Sequence, residues 1–209
     1  MEVDAGKPVC AAYRVCKARA RLPGVLASWS GRPFNTAAIG RQLGVSRPTV
    51  VKYVRSLERA GLVRLLPFYG GSRRPLLLLS SSPRGVWVEQ LISRLLQIKP
   101  ESRFFWWKTG RTRQVDLIAD IGTERIGFCF LDSPLPRRRN WLALDIASWR
   151  DVIRRGFLLY AGTWSFTVAS VIRILPIISF MSELDEWILR RQSKPRIKYK
   201  CLVRWAGPR

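Results

Sequence analysis

Residues 35–74 read NTAAIGRQLGVSRPTVVKYVRSLERAGLVRLLPFYGGSRR, and their spacing predicts a winged helix-turn-helix. Asn35 is placed to cap a short helix that carries Ile39 and Leu43 on one face. Gly44 follows as a residue that tolerates the left-handed backbone of a helix end. Ser46 caps a second helix, with Pro48 in its first turn, where no amide hydrogen is missed. Val50, Val54 and Leu57 recur at i, i+4 and i+7 and predict the inward face. Arg47, Thr49, Lys52, Tyr53, Ser56 and Arg59 are left facing out. Two helices joined by a short glycine-containing turn are the arrangement that lays the second helix in a major groove. Gly61 ends that helix. Leu62 to Leu66 and Leu76 to Leu79 then predict the two strands of a wing, with Gly70-Gly71 at the turn and Arg73 and Arg74 at its tip. The expected DNA-binding set is Ser46, Arg47, Thr49, Lys52, Tyr53, Arg73 and Arg74. The competing reading is a small helical docking module with solvated charges.

Working outward, composition points to the same kind of partner. Of 209 residues, 47% are hydrophobic, enough for a real core and too many for wholesale disorder. Lys+Arg number 37 against 14 Asp+Glu, a net charge of +23. Residues 1–85 hold 15 basic and 3 acidic side chains (+12), and residues 86–209 hold 22 and 11 (+11). Both halves are therefore basic, and mostly through arginine, which suits bidentate phosphate contact. Such an excess favours a polyanion, because each neutralised phosphate releases counterions. The sequence has no histidine, which excludes Ser-His-Asp and Cys-His catalysis, His-type zinc sites and HNH-type nuclease chemistry. Cysteines 10, 16, 129 and 201 form no CxxC pair, so neither a zinc ribbon nor a disulfide framework is indicated. A reduced, cytoplasmic setting fits that usage. No GxxxxGK[ST] occurs, so no P-loop is present.

Elsewhere the pattern is plainer. Residues 1–12 lack a long apolar core, so no secretory signal is expected. Tyr13 to Ser30 predicts the first helix of the three-helix unit, with a break or kink at Pro23-Gly24. Ser80 to Gly85 reads as a polar connector and the domain boundary. Val86 to Gln97 predicts an amphipathic helix with Val88, Leu91, Ile92, Leu95 and Leu96 in one stripe and Glu89 as its only acid. Strands are expected at Phe104 to Trp107, Gln114 to Ala119 and Ile126 to Leu131, with a basic turn at Lys108 to Arg113. Trp141 to Arg155 predicts a helix burying Leu142, Ile146, Trp149 and Ile153. Gly156 to Met181 is long and apolar, but polar residues dilute it and Arg173 and Pro176 interrupt it. Buried strands at FLLYAG, SFTVA and IRILPI are expected rather than a membrane span. Leu184 to Gln192 reads as a terminal helix, and the basic tail that follows as disordered.

Helix, three antiparallel strands, helix and further strands is an α+β order. Strand pairs bearing an acid, followed by an acid-x-Lys strand, form the metal site of PD-(D/E)xK nucleases. That chemistry needs two carboxylates converging on a hard cation and a lysine at the attacking water. Asp116 stands where the first acid belongs and Glu89 where a supplementary helical acid occurs. The next strand offers Cys129 and Leu131 in place of Glu and Lys. Glu89 and Asp116 are therefore vestigial candidates, Asp116 being read as a satisfied carboxylate beside Lys108 or Arg113.

Four stretches occur in a telling order: LGVSRPTVVKYVRSLERAGLVRLLPFY at 43–69, VWVEQLISRLL at 86–96, FFWWKTGRTRQVDLI at 104–118, and RGFLLYAG with IRILPIISFM at 155–162 and 172–181. Over Tyr13 to Leu184 they resemble the C-terminal module that follows the ATPase domain in a large prokaryotic group of AAA+-type ATPases. The resemblance implies a winged helix (13–80) joined to a degenerate PD-(D/E)xK-like domain (86–184), ahead of a basic tail (185–209). It implies nucleic-acid contact or recognition of an AAA+-type ATPase partner. The chain departs from the pattern at Lys108, Gln114, Cys129 and Leu131, in a shortened piece between Leu79 and Val86, and in lacking the ATPase domain. The expected function is non-catalytic binding of double-stranded DNA, with no cofactor, metal or membrane. A divergent metal-dependent nuclease and an ATPase-docking module are the alternatives.

Overall fold

The computed structural model describes residues 7–189, apart from 72, 111 and 123. These residues form an α+β protein with two sheets. The first part runs α1 (Lys7–Trp29), β1 (Arg32–Pro33), α2 (Thr36–Leu43), α3 (Arg47–Arg59), β2 (Val63–Leu66) and β3 (Leu76–Leu79). Its sheet is antiparallel in the order β1-β3-β2. The expected caps are in place. Asn35 Oδ1 accepts from the Ala38 amide at 3.2 Å, Gly44 takes φ 69°, and Ser46 Oγ accepts from the Thr49 amide at 3.4 Å. Pro23 does not break α1, which continues through it to Trp29. Leu22 and Leu26 of α1 pack with Ile39, Leu43, Val50 and Val54 over Val63 and Leu77.

The second part runs α4 (Pro83–Ile98), β4 (Arg103–Thr109), β5 (Arg113–Asp120), β6 (Arg125–Leu131), α5 (Arg138–Trp149), β7 (Arg155–Tyr160), β8 (Phe166–Ala169), β9 (Ile172–Pro176) and α6 (Ile177–Leu189). The six strands order β4-β5-β6-β7-β9-β8. Pairing is antiparallel from β4 to β6, parallel from β6 through β7 to β9, and antiparallel again at the β8 edge. The central strands are apolar on both faces because both are covered. Val88, Leu91, Ile92 and Leu95 of α4 and Phe180 of α6 pack on Leu117, Phe128 and Leu159. On the other face Ala143, Leu144 and Ala147 of α5 pack on Val115, Ile118 and Leu158.

Several sequence expectations are corrected. The α5 helix ends at Trp149, not Arg155, and Trp149 is 88% exposed. Its buried stripe is small: Ala143, Leu144 and Ala147. The reason is closeness to the sheet: a Cβ on Gly127 would lie 3.1 Å from Leu144 and 2.8 Å from Ile153, the latter reached from the following loop. Leu96 is exposed, and β8 is an exposed edge rather than a buried strand. Among the described residues no helix is long and apolar enough to cross a membrane. From residue 190 the basic tail lies outside the described residues.

The connector at Ser80–Gly85 is not a loose linker. Ser82 Oγ caps α4 by accepting from the Gly85 amide at 3.1 Å, so the helix starts three residues before Val86. Leu66, Leu76 and Leu78 of the first sheet lie in the same core as α4 and the second sheet. A Cβ on Gly85 would fall 2.0 Å from the Leu79 carbonyl oxygen. Gly85→Ala is therefore expected to cost about 3 kcal/mol in chemical denaturation; a loss below about 1 kcal/mol contradicts this close approach.

Candidate nucleic-acid interface

The α3 helix has one buried and one cationic side. Val50, Tyr53 and Val54 are buried, and Leu57 packs against them. Pro48, Val51, Lys52, Arg55 and Arg59 follow one another at helical spacing and line an open groove of ≈ 440 Å³ on the solvent side. Arg47 is exposed beside them at the N-terminus. Glu58, the only acid of α3, turns aside and accepts from the Leu65 amide of β2 at 3.3 Å.

Against the expected set, Ser46, Arg47 and Lys52 are exposed at the surface. Thr49 is half-buried, with Oγ1 2.8 Å from Ser46 Oγ, so both hydroxyls are engaged in the cap. Tyr53 is a correction. It is 8% exposed, packed in the core with Arg19 over its ring at 5.7 Å, and its hydroxyl is buried without a partner. Three residues beyond the buried Val50, it falls on the inward side of the helix. Arg55 is a residue the sequence reading missed. Its signal was its position three and seven residues past Lys52 and Pro48, on the same face.

The loop between β2 and β3, expected as the free tip of a wing, lies against the second sheet. The Trp106 amide donates to the Pro67 carbonyl at 2.9 Å, and the Tyr69 amide donates to the Trp106 carbonyl at 2.8 Å. The loop thus adds a short parallel bridge to the outer edge of β4. Phe68 packs edge-on against Trp106 at 5.1 Å, and Tyr69 against Phe105 at 5.6 Å. Arg73 lies over the Phe68 ring at 4.9 Å and donates from Nη1 to the Lys108 carbonyl at 3.3 Å. Arg73 is thereby a positioning contact; Arg74 is exposed.

Glu89 and Asp116, the two carboxylates singled out in the sequence, are both taken by arginine. Glu89 accepts a bidentate pair from Arg64 of β2, at 2.5 Å and 2.7 Å. Asp116 is 5% exposed and accepts from Arg84 at 3.2 Å, Gln114 at 3.1 Å and the Phe130 amide at 3.0 Å. Its partner is Arg84 of α4, not Lys108 or Arg113. Burial raises the Asp116 carboxyl above its ordinary value, outweighing the lowering by Arg84, the Phe130 amide and Gln114. Cys129 donates to the Gln114 carbonyl at 3.4 Å, and burial pushes its thiol well above the ordinary value, so it is no thiolate ligand. Among the described residues no three Asp, Glu, Cys or His side chains gather where a metal could sit.

The family described as a domain of unknown function (DUF8612) matches residues 16–85. That stretch covers α1 from Cys16, the first sheet with α2 and α3, and the first turn of α4. No curated protein and no solved structure matches the chain.

Two predictions follow from these environments. Tyr53→Phe removes a buried hydroxyl without a partner and is expected to raise stability by about 1 kcal/mol in chemical denaturation; a loss of stability would contradict this placement. For Asp116 the folded pKa exceeds the unfolded one. Its contribution to stability is present below the unfolded value and is lost as pH rises through the folded value. Asp116→Asn is expected to flatten the stability profile across that acid window in urea titrations, and an unchanged slope contradicts the assignment.

Proposed function

We propose that this chain binds double-stranded DNA without cleaving it, through a winged helix-turn-helix in its first part, with the second part a degenerate PD-(D/E)xK-like domain. The observation that carries the reading is the solvent face of α3, where Arg47, Lys52, Arg55 and Arg59 are exposed and the helix's one acid is turned away. A helix of 13 residues is about 20 Å long, and a major groove about 12 Å wide admits it. The path α1-β1-α2-α3-β2-β3 with sheet order β1-β3-β2 supports the winged-helix reading. In such docking the N-terminal part of the helix meets base edges, which assigns Arg47, Pro48, Val51 and Lys52 to bases and Arg55 and Arg59 to phosphates.

The path α4-β4-β5-β6-α5-β7, with β7 parallel to β6, supports the nuclease-like reading of the second part. Catalysis is left out because Glu89 and Asp116 are spent on Arg64 and Arg84 and because Cys129 and Leu131 hold the positions of an acid and a lysine. An AAA+-type ATPase partner rests on the sequence resemblance alone.

Titration of duplex DNA at several salt concentrations tests the proposal. Arg55→Ala/Arg59→Ala is expected to weaken binding about tenfold and to lower the slope of log affinity against log salt by about 2, at roughly 0.9 per phosphate. Wild-type affinity in that variant, or no binding of duplex at low salt, overturns the proposal. Magnesium- or manganese-dependent plasmid cleavage that Asp116→Asn abolishes replaces it with the nuclease.

A further inference from the structure

We infer that the hairpin joining β4 and β5, residues 108–113, is a second wing: an element of the second part that contacts duplex phosphates through Lys108 and Arg113. The inference rests on the DNA-binding reading above and extends the surface to a part of the chain outside the family match, which ends at residue 85.

Placement comes first. The wing loop is bonded to the edge of β4 on both sides of Trp106, and Arg73 reaches the Lys108 carbonyl. The loop between β2 and β3 therefore runs along β4, joined to it by two backbone bonds at Trp106 and by the Arg73 side chain at Lys108, where the β4–β5 hairpin begins. The wing itself springs from α3, since β2 follows it after three residues. A surface that includes α3 and the wing continues onto the hairpin.

Charge comes second. Arg73 reaches the Lys108 carbonyl, Arg74 follows it exposed, and Arg113 is exposed on the facing strand. No acid occurs in the sequence between Glu58 and Glu89 or between Glu101 and Asp116. The nearest following acid, Asp116, is taken up by Arg84, Gln114 and the Phe130 amide. Among the described residues no ion pair holds Lys108 or Arg113. Like charges without counter-charge repel one another, and here the Trp106 backbone bonds and the aromatic contacts of Phe68 and Tyr69 hold the two loops close. A row of phosphates supplies the missing counter-charge.

Shape comes third. Gly110 turns the hairpin at φ 62°, and among the described residues nothing lies within 4 Å of where its Cβ would stand. Lys108 pairs with Gln114 and Thr109 with Arg113. Facing residues share a side of the sheet, so Lys108 and Arg113 project from opposite faces. They are placed to meet two different phosphates rather than to share one.

The test is the salt dependence of duplex binding by the full chain in four forms: wild type, Lys108→Ala/Arg113→Ala, Arg55→Ala/Arg59→Ala, and Arg150→Ala/Arg154→Ala. The last removes the same charge from two exposed residues after α5. The hairpin variant keeps the Lys108 carbonyl that Arg73 uses, so its melting temperature is expected to match the wild type. Lys108→Gln/Arg113→Gln, which keeps more of each side chain, is expected to behave the same way. The hairpin variants are expected to lower the slope by about 2, at roughly 0.9 per phosphate, while the loop control keeps the wild-type slope. A wild-type slope in the hairpin variants, or an equal fall in the loop control, overturns the inference. In either case weakened binding by the α3 variant leaves the DNA-binding reading standing, and unweakened binding by it removes that reading as well.

Discussion

The backbone of Trp106 is the joint on which this molecule depends. On its outer side its amide and carbonyl are bonded to Pro67 and Tyr69. On its inner side the register of β4 and β5 slips: Phe105 faces Ile118 and Trp107 faces Val115, leaving Trp106 alone opposite Asp116 and Leu117. That is the two-against-one count of a β-bulge, which bends a strand and redirects a side chain. The indole is fully buried between the two parts, and its Nε1 has no partner, at a cost of about 1–3 kcal/mol. The surrounding core of Leu66, Leu76, Leu78, Leu91 and Phe128 offsets that cost. The loop between β2 and β3 is thereby part of the larger sheet's edge.

Ionic groups complete the seating of α4. Arg84 near its start reaches Asp116 at the bulge, and Glu89 one and a half turns on takes Arg64 of β2. Both pairs tie α4 to strands it lies against. Of the four partners only Asp116 is buried, so loss of Arg84 alone leaves an uncompensated buried charge there, while Arg64–Glu89 stays part-exposed. A third pair, Arg155 with Glu124, joins β7 to the turn before β6, and burial lowers the Arg155 guanidinium to about 10. Glu89, Asp116 and Glu124 thus serve as anchors for arginine.

Much of the first part was legible because its signals are local. Asn35, Gly44, Ser46 and Pro48 act on their own turns, and each appears where its chemistry requires. The strands β2, β3, β5, β6, β7 and β9 were legible from short apolar runs between turns. What was not legible depended on partners far along the chain. Tyr53 reads as a surface residue by polarity, yet its helical position sets it inward. Trp149 reads as core by polarity, yet the two glycines at 127 and 156 let α5 sink onto alanines instead, leaving Trp149 outside. Arg73 reads as a free wing tip until the bridge between Phe68 and Trp106 is seen. Arg84 as the partner of Asp116 could not be read at all, since 32 residues separate them.

The central claim is that α3 and the β4–β5 hairpin form one polyanion-binding face on a single rigid body. Hydrogen–deuterium exchange of the full chain, with and without saturating duplex DNA, addresses it most directly. The account predicts slowed exchange in residues 46–59 and 106–114 together, with α5 and β8 unchanged. Protection confined to α5 and β8, or none in either predicted segment under conditions where DNA is bound, would contradict it.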